Sequence, residues 1–165
     1  MVATVNLHVF TGANAATESA AVTGIDLISA DNATNSLANR QANPVTIPAA
    51  GTNYSFEKWI RAKIAVVPDN YVQNFQFWTD GAFDTGVGIN VGTNAAGVTP
   101  IATVSTIATT DGTTYVSGAK LAWHAGQLSA LNATTDALVL QMAVGTTAVQ
   151  GNVTQESLNY SYDEL

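Results

Sequence analysis

Strict alternation of apolar and polar residues is the feature that most limits what this chain can become. From Tyr54 to Gly92 it reads YSFEKWIRAKIAVVPDNYVQNFQFWTDGAFDTGVGINVG, three strand-like runs parted by turn signals. In the first, Ser55 to Val67, Phe56, Ile60, Ala62, Ile64 and Val66 share one face, and Glu57, Trp59, Arg61 and Lys63 the other. A period of two is the mark of a strand with one dry face and one wet face. Pro68-Asp69-Asn70 ends the run, because proline lacks a donor and Asp and Asn favour turns. In the second run Tyr71, Phe75 and Phe77 align against Val72, Asn74, Gln76 and Trp78. After the loop Asp80–Gly86, Val87, Ile89 and Val91 align in a third. Two of the three tryptophans and four of the five phenylalanines fall here, so this stretch is the expected centre of the core.

The flanking sequence extends the pattern. Ala3 to Phe10 alternates, with Val5, Leu7 and Val9 on one face. Gly12 to Ala21 shows no period. Val22–Ser29 fits a short strand and Pro44–Pro48 an edge strand, where proline is tolerated. Between them, Ala30 to Asn43 is an Asn-rich surface loop with one helical turn around Ser36–Arg40. Ile101–Ala108 is an apolar run that reads as strand or as loop laid on the core, and Thr114–Trp123 has no clear period. Asp136 to Val144 alternates with both faces apolar, which suits a central strand. Val153 to Tyr162 closes the chain, with Leu158, Tyr160 and Tyr162 aligned. Eight or nine short strands joined by Gly/Asn/Thr-rich turns predict one all-β domain over residues 1–165. The expected fold is an antiparallel β-sandwich, with a jelly roll of about eight strands fitting the length best.

Composition narrows function. Only 10% of residues are charged, against about 25% in an average soluble domain, so the exterior is neutral and polar. Net charge is −7 with five basic residues, which disfavours direct nucleic-acid binding. Lys58, Arg61 and Lys63 divide between two faces of one strand and read as rim charges. Cysteine is absent, which excludes disulfides and thiolate metal sites. No run approaches the length of a membrane span. The opening MVATVNLHVF alternates and lacks a basic start, so synthesis in a cytosol without a secretory signal is expected.

Chemistry-bearing motifs are sparse. His8 and His124 have no second ligand at metal spacing and read as structural. Asp80 and Asp84 bracket a glycine-containing loop, a weak calcium pattern that ordinary turn chemistry accounts for as well. No nucleophile elbow, phosphate loop or facing pair of carboxylates is legible. A non-enzyme without cofactor or metal is expected. Trp59 and Trp78 each lie off their strand's main apolar row. They fit a second packed layer, a protein interface, where Trp, Tyr and Arg concentrate binding energy, or a sugar-stacking platform. Trp59, Arg61, Trp78 and Tyr162 are the candidate interface residues.

The segments SFEKWIRAKIAVVPDN, NFQFWTDG, VGINVGT, LVLQMAVGTT and QESLNYSYDEL resemble small virion proteins of tailed bacteriophages. In size, acidity, lack of cysteine and β-rich character the chain is similar to capsid decoration, or cement, proteins. The resemblance covers roughly Tyr54–Gly92 and Ala137–Leu165. It implies a partner, the major capsid protein, self-association as dimer or trimer, and a place on the outer capsid surface after synthesis in the host cytoplasm. The alternatives are a tail or fibre module that binds host-surface glycans, and a secreted carbohydrate-binding or matrix module.

Overall fold

The computed structural model describes residues 2–151 and 153–165. Ten strands form among them: β1 (Thr4–Thr11), β2 (Thr17–Val22), β3 (Thr52–Tyr54), β4 (Lys58–Val66), β5 (Val72–Thr79), β6 (Val87–Asn94), β7 (Thr110–Asp111), β8 (Leu121–His124), β9 (Ala137–Gly145) and β10 (Leu158–Glu164). Seven make a large sheet in the order β2-β1-β4-β9-β6-β7, with β3 also on β9, and three make a small sheet, β10-β5-β8. Every strand pairing is antiparallel. The all-β sandwich expected from the alternation is what forms. Nothing in this strand order identifies a jelly roll.

β9 is the seam of the large sheet. β6 pairs along its whole length. On its other edge, β4 pairs through Lys58–Ile60 and β3 through Thr52–Tyr54. Its alternation points Leu138 and Leu140 into the main core, with Ile60, Ala62, Ile64, Val5 and Val9 of the large sheet and Val72, Phe75, Phe77 and Trp123 of the small one. Phe75 meets Trp123 edge-on at 6.1 Å and Tyr162 at 5.3 Å. The opposite face of β9 presents Ala137 and Val139 to a second cluster with Trp59, Ala108 and Ala15.

That second face is covered by the 101–109 segment, which is loop rather than strand. Gln141 of β9, fully buried, holds the segment in place. Its Nε2 donates to Ser55 O (3.0 Å) and Thr103 O (2.8 Å), and its Oε1 accepts from Ser105 N (2.9 Å). Gly92 lets the segment lie flat, since a Cβ there would run into the Ile107 carbonyl. An apolar run without alternation thus serves as a strap over a sheet face, where strand periodicity is not needed.

Several expectations change. Alternation sets Val72 on the face opposite Phe75, yet it is fully buried in the same core as Phe75. The cause is a bulge on β5, where Asn74 and Phe75 together oppose the single residue Tyr162 of β10, between the pairs Gln76–Ser161 and Gln73–Asp163. Asn74 takes φ +54° there, and one extra residue reverses the parity of everything before it. Gly12–Ala21, which shows no period, holds most of β2, an edge strand of TESAAV whose side chains carry no periodic signal. Of the expected strand Val22–Ser29 only Val22, the end of β2, is strand, and Pro44–Pro48 is not strand. A short helix α1 (Leu37–Ala42) stands close to the expected helical turn, capped by Ser36 Oγ accepting from Asn39 N.

Lys58 is the clearest departure from the rim-charge reading. It shares the inward parity of Ile60 and is 1% exposed. Its Nζ donates to Ala30 O (2.9 Å) and Asn32 O (2.7 Å), pinning the Asn-rich loop to the sheet. Burial lowers its pKa from 10.5 to about 8, against the pull of Asp31 and Asp26. Asp31 Oδ2 accepts from Gly12 N, and Asp26 binds Arg40 and Ser36 N.

Candidate interaction surfaces

The four interface candidates do not share a surface. Trp59 is 0% exposed and belongs to the second cluster, its Nε1 donating to Glu57 Oε2 at 3.1 Å. Trp59 thus belongs to a second packed layer, with no face left for an interface or for a sugar. Arg61 is half-buried on the strap side of the large sheet. It donates to Thr135 O and Ala95 O and lies 5.7 Å from the Phe10 ring centroid. Tyr162 packs between the sheets on Phe75, and burial pushes its hydroxyl and that of Tyr160 up from the usual range. Only Trp78 stands on an outer face, half-buried, with Lys120 Nζ 4.3 Å from its ring centroid.

Alternation along the small sheet fixes what surrounds Trp78. Phe75, Phe77, Leu158 and Tyr160 turn inward, so Gln76, Trp78, Asn159 and Ser161 turn outward. Register then aligns Asn159 with Trp78, and Ser161 with Gln76 and Ala122. Toward the start of β5 lies a depression of about 170 Å³ lined by Asn74, Phe75, Gln76, Ala122, His124, Ala125 and Asp163. Asn74 Nδ2 donates to Asp163 Oδ2 at its rim (2.8 Å). The sequence flagged Trp78 but not this company, because the partners come from three strands and one bulge.

The remaining candidates act within the fold. His8 Nδ1 lies 2.9 Å from Ser19 O and 3.0 Å from Glu18 Oε1. His124 Nδ1 lies 3.0 Å from Asp136 Oδ2 and 3.2 Å from Asp136 N. Asp84 accepts from Thr154 N and Oγ1, and Asp80 from Ser157 N. These two carboxylates tie down the approach to β10. Glu156 beside them has its carboxyl pushed up, first by desolvation and then by Asp80 and Asp84. Among the described residues no group of three or more His, Asp or Glu is placed to hold a metal.

A second surface lies at one end of the sandwich. Val66 ends β4 opposite Thr4, and Val67 follows it. Val2 precedes Ala3, whose N donates to Glu164 Oε1 at 2.7 Å. Leu165 exchanges backbone hydrogen bonds with Tyr71, and Leu131 precedes Asn132, whose N donates to Ile64 O. The pairings gather Val2, Val66, Val67, Leu131 and Leu165 at one end of the sandwich, and all five are exposed, from 36% to 79%. The one signal in the sequence was the pair Val66-Val67 running past the core into a turn.

Fold and surfaces together define a two-sheet antiparallel β protein with an apolar end and a polar, indole-bearing sheet face. No family model, curated protein or solved structure matches the chain. Among the described residues no helix is long and apolar enough to cross a membrane.

Proposed function

We propose that this chain is an adhesion protein of a phage particle, a capsid decoration protein that docks on the lattice of the major capsid protein and braces it. The observation that carries the reading is the apolar end, where Val2, Val66, Val67, Leu131 and Leu165 lie on adjacent segments and in water. Burying one such side chain contributes about 1.5–3 kcal/mol, and contiguous exposed apolar patches mark interaction sites. The low charge of the chain suits a protein packed among others, and the sequence resemblance supplies the phage setting. Copies that self-associate as dimers or trimers engage several lattice sites at once, which multiplies weak contacts.

The test uses purified virions of the phage that encodes the chain. A cryo-electron map is expected to show the sandwich on the head surface with its Val67–Leu131 end against the capsid. Stripped heads are expected to rebind the wild-type chain and to refuse the Val67→Glu/Leu131→Glu variant. A head surface bare of this chain, or undiminished binding of a folded double variant, overturns the proposal.

A further inference from the structure

We infer that the outer face of the small sheet binds a neutral carbohydrate chain, with Trp78 as its stacking platform. Three observations converge there. Trp78 is the tryptophan left in contact with water, since Trp59 and Trp123 are 0% and 3% exposed. An indole kept partly exposed on a sheet face offers a flat apolar surface with a polar edge. Its neighbours are Asn159, Ser161 and Gln76, in register across β10 and β5. Amides and hydroxyls both donate and accept, as the hydroxyls of a sugar do.

The third observation is the depression beside them. The bulge at Asn74, a non-glycine residue at φ +54°, re-aims that side chain onto Asp163. Bulges recur beside sites for this reason. The resulting hollow, with Phe75 in its lining and amide and carboxylate groups around it, continues the row of hydrogen-bonding groups away from Trp78.

Charge selects the ligand class. Lys120 stands over the indole, whereas Asp163 rims the hollow and Asp136 lies 3.0 Å from His124 in its lining, so the face carries no excess of positive charge. The chain as a whole, at −7, repels polyanions. That favours neutral glycans over sulfated or phosphorylated ones and over nucleic acid. Lys120 is exposed and on a flexible stem, so it swings off the ring when a sugar stacks. The site is independent of where a copy sits on a particle, and Trp78 lies at the opposite end of β5 from Tyr71 and Leu165, away from the apolar end.

Acrylamide quenching of tryptophan fluorescence reads Trp78 selectively, because the other two indoles are buried. The probes are cello-, malto-, manno- and chito-hexaose, with heparin as the anionic control. At least one neutral oligomer is expected to protect Trp78 at a concentration of about 1 mM or less. By calorimetry, Trp78→Ala and Gln76→Ala are expected to weaken that oligomer by about tenfold or more, with far-ultraviolet circular dichroism unchanged. Three outcomes overturn the inference: protection by none of the four oligomers, binding that survives Trp78→Ala, or protection by heparin alone.

Discussion

Lys58→Met separates the energetic roles of the buried ammonium, and pH is the variable that reveals them. In the fold the ammonium is 1% exposed and its pKa falls from 10.5 to about 8, with burial the leading cause. Between those values the unfolded chain holds a proton that the folded chain has released. Stability therefore rises with pH across the window, the direction expected for a lysine whose folded pKa is depressed. At about 1.4 kcal/mol per pH unit, the lowering amounts to about 3 kcal/mol, gained by the wild type between pH 8 and 10.5 and absent from the methionine variant.

At neutral pH two effects oppose each other in the variant. Methionine removes the cost of burying charge, but it leaves the Ala30 and Asn32 carbonyls without their donor, at about 1–3 kcal/mol each. The two nearly cancel at pH 7. At pH 10 and above only the loss remains, and the variant is expected to melt about 6–12 °C below the wild type. Tyr160 and Tyr162 titrate with the opposite sign, because their raised pKa values cost stability as pH climbs past 10. They are present in both proteins and drop out of the difference. Urea unfolding followed by far-ultraviolet circular dichroism at several pH values gives the two curves. Parallel stability profiles from pH 8 to 10.5 would refute the reasoning.

Other substitutions test the remaining structure. Trp59→Ala opens a cavity in the cluster beneath the strap and is expected to cost about 3–5 kcal/mol, measured by denaturant melt, while leaving Trp78 quenching as in the wild type. Gln141→Leu keeps the volume but strands the partners in Ser55, Thr103 and Ser105. Its expected signature is faster amide exchange across 101–109 before any global loss. Lys120→Ala bares the indole of Trp78 and is expected to tighten the oligosaccharide found by quenching about two- to fivefold; equal or weaker binding contradicts the covering role.

The strands that build the core were legible because their signal is local. Ile60, Ala62 and Ile64, or Leu138 and Leu140, announce a buried face by spacing alone, and the two-sided apolar pattern of β9 gave away its central place. What escaped depends on distant partners. Lys58 is buried because two carbonyls 26 and 28 residues earlier accept hydrogen bonds from its side-chain nitrogen, and no spacing in β4 encodes that. Val72 was misplaced by one bulged residue at Asn74. The strap over Trp59 has no period, so its run of Ile, Val and Ala left strand and loop undecided. The indole-bearing face was half legible: Trp78 stood out, whereas Asn159 and Ser161 acquire meaning only once β10 lies beside β5.

The ordering of the large sheet also dictates how the chain reaches this state. β1 waits for β4, about fifty residues on, and β4 waits for β9, about eighty residues beyond that. The small sheet is incomplete until β10 reaches β5, and Ala3 is then tied to Glu164 across 161 positions. With so few local contacts to start from, the search is slow, in the millisecond-to-second range for such topologies. Until the two sheets pack, Phe75 and Phe77, buried in the finished core, are open to water, and unpaired strands at high concentration invite aggregation. On this plan the last strand must arrive promptly, and a β10 that docks late puts yield at risk before it touches strength.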